Sequence, residues 1–255
     1  MIFVMDVGNT NIKCGLFQGH EIQASWRMSA DKVRTADEYG LSVVQFFQFG
    51  GYDVEEVEGI IISSVIPSLN YTLDHMCETY FKKVPLFVGA GIKTGMNIRY
   101  DNPKELGPDR LVDAVGAFDK YHGPCIVVDF GTATTFSCVD KNGDFVGGAI
   151  CPGVKISTDA LVQHAARLPK IELTKPASVM GRNPVAAMQS GIIFGYAGMV
   201  DHLITKMREE LGSDSVHTVA TGGLARLISS ETKCIESVDS RLSLFGLRIL
   251  YERNR

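Results

Sequence analysis

Hydrophobic and polar positions alternate along the chain between two kinds of segment. Short apolar runs occur as IFVMD at residues 2–6, GIIISSVI at 59–66, PLFV at 85–88, CIVVD at 125–129 and VHTVA at 216–220. Their length and β-branched content are those of buried strands. Longer stretches with helical spacing lie between them. The first runs from Ala36 to about Phe49, opened by Thr35 and Glu38 at capping-box spacing and stopped by Gly50 and Gly51. The second begins at Pro67, a residue suited to a first helical turn, and stays amphipathic to Tyr80. Further helices are expected from about Leu111 to Tyr121, near 154–167, over 184–211 and over 241–252. A strand to about Phe17 follows the first apolar run. Another reaches Val139, and a turn at Asn142-Gly143 leads to a third strand into GGAICPG. Strands alternating with helices in this way indicate an α/β fold.

The two halves carry the same local pattern. FVMDVGNTNIKCGLF near the start and IVVDFGTATTFSCVD at 126–140 each drive an apolar strand into an aspartate and then into small residues. Placing Asp6 on Asp129 places Gly8 on Gly131 and Cys14 on Ser137, a constant offset of 123 in 255 residues. An offset near half the length predicts two similar domains, 1–117 and 118–255, each long enough to bury a core.

A single strand-Asp-x-Gly is accounted for by a tight hairpin, the glycine supplying positive φ and the aspartate bonding its own turn. Two copies suggest more. Small residues after each strand (Gly8, Asn9, Thr10; Gly131, Thr132, Ala133) leave backbone N–H groups and hydroxyls open to an anion. A carboxylate beside phosphates requires a cation between them, which points to Mg²⁺ with a nucleotide. VATGGLARLI at 219–228 adds a third glycine turn, between a strand and a helix, suited to a nucleotide's ribose or base edge. GAGIKT at 89–94 lacks the glycine that precedes the lysine of a P-loop and leads into MNIRYDNP, which does not begin a helix.

Composition narrows the function classes. Hydrophobic content of 45% and charge of 21%, with no low-complexity run, describe a globular chain. A net charge of −4 gives no general electrostatic reason to bind nucleic acid or an anionic membrane. The six cysteines, at 14, 77, 125, 138, 151 and 234, show no C-x-x-C spacing and read as reduced core residues of a cytoplasmic protein. The opening MIFVMDVGNT lacks a basic leader region and no apolar run approaches a membrane span, so neither secretion nor insertion is expected. The six histidines form no ligand pair of the H-E-x-x-H kind.

DVGNTNIKCG, ELGPDRLVDAVGA, VVDFGTATTF, GGAICPG, AMQSG and ATGG together resemble the type III pantothenate kinases, of the acetate and sugar kinase, heat-shock ATPase and actin superfamily. The resemblance spans essentially the whole chain. It implies duplicated ribonuclease-H-like (actin-like ATPase) α/β domains with the active site in the cleft between them. It also implies a homodimer that phosphorylates the primary hydroxyl of pantothenate with ATP, the first step towards coenzyme A. Carried over residue by residue, Asp6 would hold Mg²⁺ and the phosphates, with Val7, Gly8, Asn9, Thr10, Asn11, Ile12 and Lys13 lining the ATP loop and Thr132 contacting ATP from the other half. Asp129 matches the family's monovalent-cation position, for K⁺ or NH₄⁺. Tyr100, Gly107, Pro108, Asp109 and Arg110 would form the pantothenate pocket, with Asp109 as general base and Arg110 supplying positive charge. Without the resemblance, GPDR reads as a proline turn with Asp109 capping the next helix.

One position departs from the family pattern. GRNPVAAMQSG carries Pro184 where the family commonly has threonine, so a substrate-facing hydroxyl is missing; Asn183 and Pro184 still make a sound helix start. Two further readings are a kinase for another small hydroxyl or carboxyl acceptor and a nucleotide-gated regulator. The acidic charge and the lack of a basic stripe weigh against DNA binding.

Overall fold

Two five-stranded sheets with one strand order organise the chain. The computed structural model describes residues 1–213 and 215–255. The first sheet contains β1 (Ile2–Val7), β2 (Asn11–Gln18), β3 (Glu21–Ser29), β4 (Gly59–Ser64) and β5 (Leu86–Phe87), in the order β3-β2-β1-β4-β5. The second contains β6 (Cys125–Phe130), β7 (Ala133–Val139), β8 (Phe145–Pro152), β9 (His217–Gly222) and β10 (Ser237–Val238), in the matching order β8-β7-β6-β9-β10. Each sheet begins as an antiparallel meander and continues with parallel neighbours. The helices are α1 (Ala36–Gly50), α2 (Pro67–Phe81), α3 (Pro108–Tyr121), α4 (Val154–His164), α5 (Pro184–Leu211), α6 (Ala225–Ser229) and α7 (Leu242–Asn254).

Local chemistry sets the helix ends. The Thr35 hydroxyl accepts from the Glu38 N–H at 3.3 Å while the Glu38 carboxylate accepts from the Thr35 N–H at 2.8 Å, and Gly51 closes α1 in the left-handed region at φ 75°. Asn183 caps α5 through the Ala186 N–H at 2.9 Å, with Pro184 in the first turn. Proline in place of threonine at 184 therefore leaves a well-made helix start.

Contacts divide the chain into two units. The first comprises Met1–Met96, Asp101–Gly116 and Leu242–Arg255; the second comprises Asn97–Tyr100 and Ala117–Arg241. This differs from a single cut at 117/118, because α7 returns to the first unit. Close packing explains the return: a Cβ at Gly246 would collide with the Val112 carbonyl, and one at Gly116 would lie 2.8 Å from the Leu242 carbonyl. Only glycine on both helices lets α3 and α7 approach this closely. Phe245 completes the contact edge-to-face against Phe17 at 5.4 Å.

The first unit's core is built on Phe3, Phe47 and Phe81, whose centroids lie 5.3–5.5 Å apart, with Trp26 stacked on Phe47 at 5.4 Å. Truncating a ring buried this fully costs about 3–5 kcal/mol. In the second unit Phe130, Phe136 and Val128 of the sheet pack with Ile193, Val200 and Ile204 of α5.

Several elements depart from the pattern-based expectation, the two-residue β10 among them. The α3 helix starts at Pro108, inside GPDR, three residues before Leu111. The β3 strand, EIQASWRMS, lies outside the expected elements although Ile22, Ala24, Trp26 and Met28 alternate with polar residues at the period of a half-buried strand, the signal that would have found it. The repeat also needs a correction of register. The first hairpin turn closes from the Gly8 N–H to the Asn11 carbonyl, the second from the Gly131 N–H to the Ala133 carbonyl, so the second turn is one residue shorter. Met5 consequently faces Cys14 whereas its counterpart Val128 faces Phe136. Cys14 corresponds to Phe136, not to Ser137.

Candidate active site

In the first unit, Asp6 near the end of β1 is in register with Lys13 on β2 and Ser63 on β4, and side chains in register share one face of the sheet. Asp6 is buried, and Lys13 Nζ lies 3.4 Å from its Oδ2. Lys13 also donates to Ser243 Oγ at 3.3 Å. Ser243 sits in the first turn of α7 and carries no motif; only the fold brings it back across 230 residues of sequence.

The turn that follows carries exposed polar residues. Gly8 holds it closed, a Cβ there lying 3.2 Å from the Asn11 carbonyl, while Asn9, Thr10 and Asn11 are exposed. Val7 and Ile12 point the other way, with side chains in the core cluster, so only their backbone groups are available at the loop.

Gly107 leads into α3, and Pro108 and Asp109 lie inside its first turn. Asp109 Oδ1 accepts from the neighbouring Arg110 N–H at 2.9 Å. Burial pushes the Asp109 carboxyl above the ordinary carboxylate range; the Arg110 N–H pulls it down, and the negative charge of Asp6 pushes it up further. Arg110 itself is buried. Asp6, Lys13, Ser243, Asp109 and Arg110 all belong to the first unit. They comprise two carboxyl groups, two cationic side chains and a hydroxyl, the kinds of group that transfer of an anionic group to an alcohol can use.

In the second unit, Asp129 on β6 is in register with Thr135 and Thr221. The turn beside it is cleared by glycines. Gly222, at φ 96°, is a position where a Cβ would collide with Asp129 Oδ1 and come within 2.6 Å of the Phe130 carbonyl. A Cβ at Gly153 would collide with the Thr132 carbonyl and lie 2.8 Å from that of Gly131. Thr132 is exposed on this turn. Tyr100 also belongs to the second unit, edge-to-face on Phe145 at 5.4 Å, in the segment whose Arg99 N–H donates to the Phe145 carbonyl at 2.9 Å. The expected pantothenate residues thus come from both units: Tyr100 from the second, Gly107 to Arg110 from the first.

A family model described as type III pantothenate kinase matches residues 2–206. The chain belongs to the type III pantothenate kinase family. It is therefore a kinase, a phosphotransferase whose family uses ATP with a divalent metal ion. Solved structures agree on the fold. A proposed Baf-family transcriptional activator from Campylobacter jejuni superposes with a TM-score of 0.61 at 16% identity, covering 99% of this chain and 98% of that one. A proposed 2-dehydro-3-deoxygalactonokinase from Sinorhizobium meliloti gives 0.57 at 13% identity, covering 99% and 96%. The activator of 2-hydroxyisocaproyl-CoA dehydratase from Clostridium difficile, solved with bound ADPNP, gives 0.51 at 12% identity, covering 99% and 94%. These likenesses establish duplicated actin-like ATPase and sugar-kinase architecture.

The residues fit a divalent ion of this kind. Among the described residues no group of three His, Cys, Asp or Glu could hold a metal alone. Mg²⁺ in kinases does not need one, being held by one or two carboxylates and the nucleotide's phosphates. Asp6 offers the hard oxygen ligand, next to a turn whose Asn9, Thr10 and Asn11 are exposed. Among the described residues no helix is long and apolar enough to cross a membrane.

Proposed function

We propose that this kinase transfers the γ-phosphoryl group of ATP to the primary hydroxyl of pantothenate, forming 4'-phosphopantothenate. The observation that carries the reading is Asp109: a partly buried carboxyl at the head of α3 whose proton affinity is raised by burial and by Asp6, within a chain whose family is that of type III pantothenate kinases. A raised carboxyl is a better base for an alcohol that must lose its proton during phosphoryl transfer.

The roles follow the chemistry of each group. Asp109 takes the proton from the acceptor hydroxyl, and Arg110 holds negative charge on the substrate or the transferring group. Asp6 faces the Mg²⁺ that accompanies ATP and neutralises phosphate charge; Lys13, paired with Asp6 and steadied by Ser243, sets the position of that carboxylate. Asn9, Thr10 and Asn11, on the turn that the Gly8 N–H closes, and Thr132 present polar groups to the phosphates. Asp129, in a cradle that Gly131, Gly153 and Gly222 keep open, is suited to a monovalent cation such as K⁺ or NH₄⁺. Tyr100 is assigned to pantothenate. A cytoplasmic homodimer belongs to the same reading.

A regulatory role finds support in the likeness to the Campylobacter jejuni protein proposed as a transcriptional activator. The chain's net charge of −4 weighs against it. A panel of acceptors with ATP, run beside a DNA-binding titration at physiological salt, separates the alternatives. ADP release that depends on pantothenate, with no DNA retention, is the expected result; release with a sugar or a carboxylate instead would reassign the acceptor.

A further inference from the structure

Beside each of the two aspartates, on the adjoining parallel strand, stands a buried hydroxyl. Asp6 is in register with Ser63 of β4, and Asp129 with Thr221 of β9. The positions correspond within the repeat. One ladder opens with Ile2 opposite Gly59, the other with Cys125 opposite His217, and the hydroxyl follows at the fifth pair in each. Both residues are 0% exposed, and neither hydroxyl oxygen has a hydrogen-bond partner among the described residues.

An orphaned hydroxyl is costly, about 1–3 kcal/mol where its hydrogen bond is left unmade. Native proteins carry few. Nothing local demands one at these positions, since the preceding residues, Ile60, Ile61 and Ile62 on β4 and Val219 and Ala220 on β9, are apolar and buried. Alanine or valine would fill either place without the penalty. The two copies share little else along these strands, GIIISS against HTVATG, yet both keep the hydroxyl opposite the aspartate. A cost retained twice at one structural position points to a partner that arrives with the ligand.

We propose that Ser63 and Thr221 are positioning residues for the ions at the two aspartates: each hydroxyl is a second fixed point, beside the carboxylate, for a water that the ion carries. The inference rests on the reading of Asp6 and Asp129 as ion-bearing carboxylates. Mg²⁺ dehydrates reluctantly and keeps several waters, so a group adjacent to its carboxylate ligand meets a water rather than the metal. A water held by two protein groups orients the ion's shell at little entropic cost. Ser63 serves the divalent ion at Asp6, and Thr221 the monovalent ion at Asp129.

The test reads binding, not turnover. Isothermal titration with ADPNP, in excess Mg²⁺ and again in EDTA, gives the gain in nucleotide affinity that the metal confers. Ser63→Ala should reduce that gain about threefold to tenfold, the worth of one hydrogen bond, and leave affinity in EDTA unchanged. Its ligand-free melting temperature should hold or rise, because the orphaned hydroxyl is gone. For Thr221, thermal melts over a K⁺ titration with ADPNP present should place the midpoint about threefold to tenfold higher in Thr221→Val, whereas Thr221→Ser, which keeps the hydroxyl, should match the wild type. A full metal-dependent gain in Ser63→Ala, or a wild-type K⁺ midpoint in Thr221→Val, overturns the inference while leaving the aspartates' roles intact. If Asp6→Asn shows the same gain as wild type, or if wild-type melting ignores K⁺, the reading of that aspartate falls and the inference falls with it.

Discussion

Replacing Asp109 with asparagine separates catalysis from folding in opposite directions. The side chain keeps its shape and its Oδ1, so the bond from the Arg110 N–H at 2.9 Å survives. It loses the capacity to take a proton. A missing general base slows the chemical step by about two to four orders of magnitude, which is about 3–5 kcal/mol of barrier. Stability should move the other way. Burial and the charge of Asp6 both raise this carboxyl's proton affinity, so at neutral pH the folded state holds a charge that it disfavours. The native state binds the proton more tightly than the unfolded chain, so the wild type loses stability as pH rises through the window between the two pKa values. A neutral amide at this position escapes that loss. Asp109→Asn should therefore melt higher than the wild type at pH 7. The advantage should vanish as pH falls below the ordinary aspartate value of about 3.9. Steady-state kinetics and melting curves on the same samples decide it. A kcat within a few-fold of wild type would refute the base assignment, and a lower melting temperature at neutral pH would refute the account of the buried charge.

Three other perturbations probe the remaining parts. Asp6→Asn should raise the Mg²⁺ concentration needed for half-maximal rate and lower kcat, with excess Mg²⁺ restoring part of the loss; a metal titration that superimposes on wild type would remove Asp6 from the metal site. Gly222→Ala forces a side chain into φ 96° and against the Asp129 carboxylate, which should cost about 1–3 kcal/mol in urea denaturation and weaken K⁺ activation, whereas an unchanged midpoint would mean that the turn relaxes freely. Pro184→Thr should lower the KM for pantothenate several-fold, about 1 kcal/mol, with little change in melting because Asn183 still caps α5; an identical KM would show that this position does not touch the substrate.

Much of this organisation is legible in the sequence. Asp6 and Asp129 announce the repeat because a strand that ends in a carboxylate and a glycine is a local pattern. Thr35 with Glu38, and Asn183 with Pro184, mark helix starts because capping is decided within four residues. What cannot be read there depends on the chain's return or on geometry. Leu242 to Asn254 follows the second sheet in sequence, and its packing on the first sheet and on α3 assigns it to the first unit. Ser243 reaches Lys13 by that route. Val7 and Ile12 lie within the phosphate-loop motif, yet strand alternation turns their side chains into the core. Ser63 and Thr221 look like ordinary strand residues until the ladder sets each beside an aspartate and burial leaves its oxygen without a partner among the described residues.

The central claim is that phosphate leaves ATP for the hydroxyl of pantothenate. Incubating the protein with γ-³²P-labelled ATP, Mg²⁺, K⁺ and pantothenate tests it in one sample. The account predicts label on pantothenate in equal amount to the ADP formed, and almost none with Asp109→Asn. ADP formed without labelled pantothenate, or labelling that Asp109→Asn leaves undiminished, would contradict it.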